Sequence, residues 1–185
     1  MSDLDTTTTT RLLGLSPVAL HTLRTTLERQ HGLTTAAYLQ EAGFAAGEEI
    51  FQAFTEWLKE THDVSPDELD ADFMAEVISD FFVNTGWGSL VAGALSDGIM
   101  TFDSADWREA APGADAQYPS CHLSSGMLAD FFGRLAGETV AVMEVECRTR
   151  GDERCRFLVG SPEMLATVYE RMSGGLSYLE ASQQS

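Results

Sequence analysis

Apolar residues recur every three or four positions along the first half of the chain, the spacing typical of amphipathic helices. A first helix is predicted from Ser16-Pro17, a serine N-cap with proline at the first helical position, to Gly32. A second is predicted from Thr34 or Thr35 through Glu60, with the apolar face Ile50, Phe54, Trp57 and Leu58. A third is predicted to open at Ser65-Pro66 with a capping box and to bury the stripe Leu69, Phe73, Val77 and Phe81.

Shorter apolar runs broken by turn residues occupy the second half. Residues 89–104 predict two strands around the turn Ser96-Asp97-Gly98. A second hairpin is predicted around residues 148–154, RTRGDER, whose Gly-Asp pair suits a chain reversal. A helix is predicted between the hairpins, and a last helix runs from Ser161-Pro162 to the glycines at 174–175. Because the strands are short and joined by tight turns, the pattern predicts an α+β fold with an antiparallel sheet.

Two glycines interrupt the second predicted helix. Gly43 and Gly47 lie four residues apart among alanines, and a glycine inside a helix costs about 1 kcal/mol relative to alanine. The pair therefore predicts a close contact on this ridge. Tight packing against another helix is the favoured interpretation, and the wall of a ligand cavity or a dimer seam is the alternative.

The length of 185 residues predicts one domain, and the 44% of hydrophobic residues are ordinary for a globular protein. We expect residues 12–175 to form a single small-molecule-binding domain. Residues 1–11, polar and threonine-rich, are expected to be a disordered lead, and residues 176–185 a mobile tail.

The net charge of −18 limits the partners of the chain. A polyanion repels both nucleic acid and anionic membrane, so direct binding to either is disfavoured. No apolar run approaches the roughly 20 residues needed to span a bilayer, and the N-terminus lacks the pattern of a signal peptide. A cytoplasmic location is expected.

All three cysteines lie within residues 120–160, and Glu144 and Glu146 precede the second of them. Thiolates and a carboxylate can together bind zinc. Spacing alone balances this interpretation against cysteines that merely pack in the core, while disulfides are disfavoured for lack of an oxidising compartment. In a regular strand both glutamates would share one face and Cys147 would point to the other, so a shared ion requires a bulge or a strand end. The spacing leaves open which carboxylate takes part.

The same stretch resembles the 4-vinyl-reductase-type, hydrocarbon-binding domain and is similar to the zinc-containing sensor domains of phenol- and xylene-responsive bacterial activators. The matching positions are Pro119-Ser120-Cys121, Gly126, Phe132-Gly133, Glu144 to Cys147, Gly151-Asp152 and Cys155-Arg156. The pattern C-x22-E-x2-C-x7-C of those sensors implies the ligands Cys121, Glu144, Cys147 and Cys155 for a structural Zn²⁺. The resemblance also implies a homodimer and a layer of helices on a four-stranded sheet, as in Golgi transport-particle subunits.

Function follows from this resemblance as a hypothesis. We expect a module that binds or senses an apolar or aromatic ligand, with the loop from Ala105 to Pro119 as a lid. The ligand-facing candidates are Phe102, Phe131, Val142, Trp87, Trp107 and Tyr118. An alternative is a carrier or accessory protein in tetrapyrrole metabolism, because no dinucleotide, flavin or P-loop motif supports a self-sufficient reductase. A third possibility is a dimeric interaction module without a small ligand.

Overall fold

The structure, a computed structural model, describes residues 12–183, apart from the side chains of residues 71 and 72. The lead predicted over residues 1–11 lies outside the described residues. Within them are the helices α1 Pro17–His31, α2 Thr34–His62, α3 Ala71–Asn84, α4 His122–Ala136, α5 Pro162–Ser173 and α6 Tyr178–Gln183. The strands are β1 Val91–Ser96, β2 Ile99–Ser104, β3 Ala141–Glu146 and β4 Cys155–Gly160.

The strands form one antiparallel sheet in the order β1-β2-β4-β3. Each hairpin supplies one edge strand and one central strand, since β1 pairs with β2 and β3 pairs with β4. The predicted α+β class and the four-stranded antiparallel sheet are confirmed.

Each face of the sheet carries its own hydrophobic cluster. One face, with Phe102 and Phe157, packs against α2, α3 and α4 in a cluster dominated by aromatic rings. The opposite face, with Leu158, packs against α5 and α6 in a smaller cluster. The sheet therefore has the expected helical layer on one side and a second, smaller layer on the other.

Residues that the sequence pattern assigned to a mobile tail form helix α6. Ala181 in this helix is fully buried, and Arg171 donates a hydrogen bond to its carbonyl oxygen at 2.8 Å. The hydroxyl of Tyr178 donates to Glu146 at 2.5 Å, which ties the helix to the sheet. These contacts come from residues distant in sequence, so the local composition of residues 176–185 did not reveal them.

The third helix begins later than predicted. Pro66–Glu68 form a single 3₁₀ turn, in which the Ser65 N–H donates to the carboxylate of Glu68 at 2.8 Å. Leu69 is then extended, and Asp70 caps α3 by accepting a hydrogen bond from the Phe73 N–H at 2.9 Å. The capping box is thus present, but it starts only one turn.

The glycine ridge of α2 packs directly on α4. A Cβ atom at Gly43 would lie 1.9 Å from the carbonyl oxygen of Leu123, and one at Gly126 would lie 1.9 Å from that of Gln40. No side chain fits at either distance, so both glycines allow the helix backbones to touch. Tight helix packing, the favoured interpretation of the ridge, is confirmed, and it fixes the position of the N-terminus of α4.

Candidate metal centre

Three elements bring the cysteines and one glutamate together. Cys121 directly precedes α4, Glu144 lies in β3, Cys147 follows the end of β3, and Cys155 opens β4. Their sulfur and carboxylate oxygen atoms all lie within 4.8 Å of one another. The four residues named by the spacing therefore form one cluster, called here the Cys3Glu cluster.

A bulge in β3 decides which glutamate joins the cluster. Glu144 pairs with Phe157 and Glu146 pairs with Arg156, so the register shifts by one residue at Val145. Because one extra residue reverses the alternation of faces, Glu144 points toward α4 while Glu146 points toward α6. Cys147 then returns to the side of Glu144. Glu146, the competing carboxylate, instead pairs with Arg154 at 2.8 Å.

The sulfur separations fit a tetrahedral ion. Cys121 Sγ lies 3.9 Å from both Cys147 Sγ and Cys155 Sγ. Around a tetrahedral zinc with bonds of about 2.3 Å, two sulfurs are about 3.8 Å apart. All three cysteines are free and buried, and at this separation no disulfide joins them.

Glu144 has one oxygen that lacks a partner. Its Oε2 accepts a hydrogen bond from the Cys121 N–H at 2.8 Å, which also caps the start of α4. Its Oε1 is buried, and no hydrogen-bond donor reaches it. Most buried acceptors in proteins are paired, so an unpaired carboxylate oxygen next to three sulfurs is the environment that a cation would complete.

Burial shapes the protonation of the cluster. It raises the pKa of Glu144 well above its usual value, and the neighbouring Cys147 raises it further. Burial likewise raises the pKa of the Cys121 thiol, to which the other two cysteines and Glu144 add. Hydrogen bonds from the Cys121 and Cys155 thiols lower the pKa of Cys147. Without a cation the cluster thus holds a single thiolate, and the remaining ligands must lose protons when a metal binds.

The loop between β3 and β4 is fixed on both sides of Cys147. The Cys147 N–H donates to Asp152 at 2.7 Å, and Arg150 also pairs with that carboxylate. Thr149, fully buried, accepts a hydrogen bond from the Ala111 N–H at 2.9 Å. The cluster is therefore attached to the loop 105–119, which was predicted as a lid.

Five of the six residues predicted to face a ligand lie in the aromatic cluster between the sheet and the helices. Phe102, Phe131 and Trp107 are buried in it, and Trp87 and Val142 are partly buried against it. Tyr118, the sixth, is 60% exposed and stands apart from this group.

The rings of this cluster contact one another closely. Phe131 meets Phe54 and Phe82 edge to face, with centroids 5.4 and 5.3 Å away. Phe102 stacks on Phe132 at 4.3 Å. Two clefts, of about 320 and 400 Å³, lie on the surface, and none of the six predicted ligand residues lines either of them. The predicted ligand residues in the cluster are thus packed against other side chains.

A buried carboxylate that the sequence analysis did not find lies between the rings and α4. Glu109 accepts hydrogen bonds from the Leu123 N–H at 3.0 Å and the Ser124 N–H at 2.7 Å, and also from the Ser124 hydroxyl. The indole N–H of Trp107 donates to the same hydroxyl at 2.7 Å. Burial raises the pKa of Glu109 to about 7, although these hydrogen bonds oppose the shift. No motif marks Glu109, which stood among several acidic residues of a loop.

The fold and the cluster define a small α+β domain with a cysteine-rich candidate metal centre. Residues 105–161, which hold that centre, match the vinyl-4-reductase domain family, so the resemblance noted in the sequence is confirmed over this stretch. No curated protein matches the chain.

Solved structures share the fold. The phenol-responsive sensory domain of the transcription activator PoxR, solved with phenol, is 22% identical with a TM-score of 0.60, covering 83% of this chain and 78% of that one. A trafficking protein particle complex subunit 3 from Naegleria fowleri, covalently bound to palmitic acid, is 12% identical with a TM-score of 0.58, covering 78% and 91%. A vinyl-4-reductase family protein from Methanocaldococcus jannaschii is 19% identical with a TM-score of 0.39, covering 66% and 92%. Among the described residues, no helix is long and apolar enough to cross a membrane.

Proposed function

We propose that the chain is a sensor module that binds a small apolar or aromatic molecule and is stabilised by a structural zinc ion. Cys121, Glu144, Cys147 and Cys155 would hold the ion. The observation that carries the metal proposal is the unpaired, buried Oε1 of Glu144 beside three sulfurs at tetrahedral separations.

The donor set favours zinc in a structural role. Sulfur-rich sites with one carboxylate select zinc over harder cations such as magnesium. Three cysteines and one glutamate fill four positions and leave none for water or substrate, which is typical of structural sites. The ion would fasten the β3–β4 hairpin to the start of α4, and no chemistry at the metal is expected.

Ligand binding is proposed for the aromatic cluster. It lies between α2, α3, α4 and the sheet, beside the loop 105–119. Its rings meet mostly edge to face, so an incoming aromatic ring could replace one such contact with another at small cost. The domain of PoxR was solved with phenol and the Naegleria subunit with palmitic acid, so this fold accommodates apolar molecules in other proteins. Phe102, Phe131, Val142, Trp87 and Trp107 would contact the ligand, and Tyr118 would lie at the mouth of the loop.

Metal analysis joined to native mass spectrometry tests the metal proposal. The protein as purified should carry one zinc per chain, and Cys155→Ser should lose it. The same spectrum reports whether the chain is the expected homodimer. If the parent protein binds no zinc even after zinc is added under reducing conditions, the metal proposal is wrong.

Ligand binding is tested with phenol, toluene and palmitic acid. A ligand that binds only the folded state raises the melting temperature, by about 2.7 kcal/mol of stabilisation at a hundred times its Kd. Because Trp87 and Trp107 lie in the proposed site, binding should also change tryptophan emission. A response to chlorophyllide-like pigments but to none of these probes would favour the carrier alternative, and no response to any probe would favour an interaction module.

A further inference from the structure

Helix α1 is attached to the domain in an unusual way. Of its fifteen residues, all of which the structure describes, only Arg24 is buried. The apolar side chains of Val18 and Leu23 are 73% and 48% exposed. A helix normally docks through an apolar stripe, whereas α1 inserts a cation into the domain.

The guanidinium of Arg24 reaches the residue next to the first cysteine of the cluster. Its Nη1 donates to the Ser120 hydroxyl at 2.5 Å and to the Ser120 carbonyl oxygen at 3.3 Å. Its Nη2 contacts His21 Nδ1 at 3.0 Å, and its Nε lies 3.5 Å from the carboxylate of Glu28. Both of the latter partners belong to α1 itself, so the bonds from Arg24 that join the helix to the domain run through Ser120.

Ser120 passes this contact to a sulfur atom. Its hydroxyl oxygen lies 3.7 Å from Cys147 Sγ. Because that oxygen already accepts a hydrogen bond from Arg24, its own hydrogen is free to point at the sulfur. Donors of this kind stabilise the thiolate form that a metal requires, and partners around the ligands tune metal affinity.

The charges explain why an arginine is buried at this point. Burying a guanidinium is costly unless a negative charge compensates for it. A divalent ion held by three thiolates and one carboxylate carries two net negative charges, and such a centre would lie directly behind Ser120.

We propose that Arg24 is a positioning residue of the metal centre: through Ser120 it directs a donor at Cys147 and ties α1 to the cluster, so metal binding and docking of α1 are linked. This inference rests on the metal site proposed above. Since such a coupling is reciprocal, zinc strengthens the docking of α1 by the same factor by which docked α1 strengthens zinc binding.

Hydrogen exchange of residues 17–31 and zinc affinity, measured by competition with a chelator, test both directions. In the parent protein, zinc should slow exchange in α1 by about fivefold or more, the lower end of typical couplings. Arg24→Gln should abolish this effect on α1, keep zinc-dependent protection in the β3–β4 hairpin, and weaken zinc binding about tenfold. Arg29→Gln, an exposed arginine on the same helix, is the matched control and should behave like the parent.

Ser120→Ala is a second variant that retains the carbonyl acceptor for Arg24. It should leave the fold intact and weaken zinc binding, since the donor to Cys147 is lost. The inference is overturned if Arg24→Gln keeps parental zinc affinity, or if zinc binds but leaves exchange in α1 unchanged. A parent protein that binds no zinc would overturn the metal proposal as well, so the two failures are distinguishable.

Discussion

Replacing Glu144 with glutamine should change stability in opposite directions with and without zinc. In the metal-free protein the carboxylate is buried, and its Oε1 has no hydrogen-bond partner. A glutamine can still accept the hydrogen bond from the Cys121 N–H, and its amide N–H₂ can donate to the Cys147 sulfur. With zinc bound, the same substitution removes a charged ligand.

The magnitudes follow from these two roles. Leaving a buried polar group unpaired costs about 1–3 kcal/mol, so metal-free Glu144→Gln should be more stable than the parent by about that amount. Zinc at a hundred times its Kd stabilises the parent by about 2.7 kcal/mol. If the variant binds a hundredfold more weakly, a loss that changes around metal ligands can reach, the same zinc concentration adds only about 0.4 kcal/mol.

The effect without metal depends on pH. Burial raises the pKa of Glu144 in the folded protein, so the folded state holds this proton more tightly than the unfolded state. Its contribution is therefore fully present below the usual pKa of a glutamate and is lost as pH rises through the raised value. The advantage of glutamine over glutamate should accordingly increase between pH 5 and pH 8.

Urea unfolding with excess chelator and with excess zinc, at both pH values, measures these changes. Glu146→Gln is the matched control, because it removes the same charge from the same strand while its carboxylate pairs with Arg154, outside the cluster. The control should keep parental zinc affinity and lose similar stability in both conditions. The reasoning is refuted if Glu144→Gln destabilises the metal-free protein, or if it binds zinc as tightly as the control.

Three further predictions concern the cluster and its support. Zinc loading should release about two to three protons per ion, since neutral ligands must ionise; calorimetry in buffers of different ionisation enthalpy measures this, and release of none would contradict a protonated cluster. Because burial raises the pKa of Glu109 to about 7, its contribution to stability is present at low pH and lost as pH rises through that value. The parent should lose up to about 3 kcal/mol more than Glu109→Gln between pH 5 and pH 8, and parallel pH profiles would contradict this. Gly43→Ala, whose Cβ would meet the Leu123 carbonyl at 1.9 Å, should destabilise by about 1–3 kcal/mol or more, whereas Gly14→Ala, with nothing within 4 Å, should be nearly neutral by thermal unfolding.

The local elements of the fold could be predicted because their signals are local. Serine followed by proline marks the starts of α1 and α5, and a glycine follows each end. The turn at Asp97-Gly98 has Gly98 at φ +74°, where a glycine is favoured. The start of α3 was misplaced because two capping signals, Ser65 and Asp70, lie close together and only the second begins the α-helix. Which of two adjacent caps is used depends on how the helix packs, and a local pattern does not contain that information.

By itself, the sequence determined the two hairpins, the α+β class and the spacing of the four residues of the Cys3Glu cluster. Only the tertiary structure decided between Glu144 and Glu146, because a one-residue bulge at Val145 reverses which side chains face α4. It also brought Arg24 to Ser120 across 96 residues and buried Glu109 under α4. The physical reason is that periodicity and capping act within a few residues, whereas a side chain's partners across the fold are set by how helices and sheet pack together.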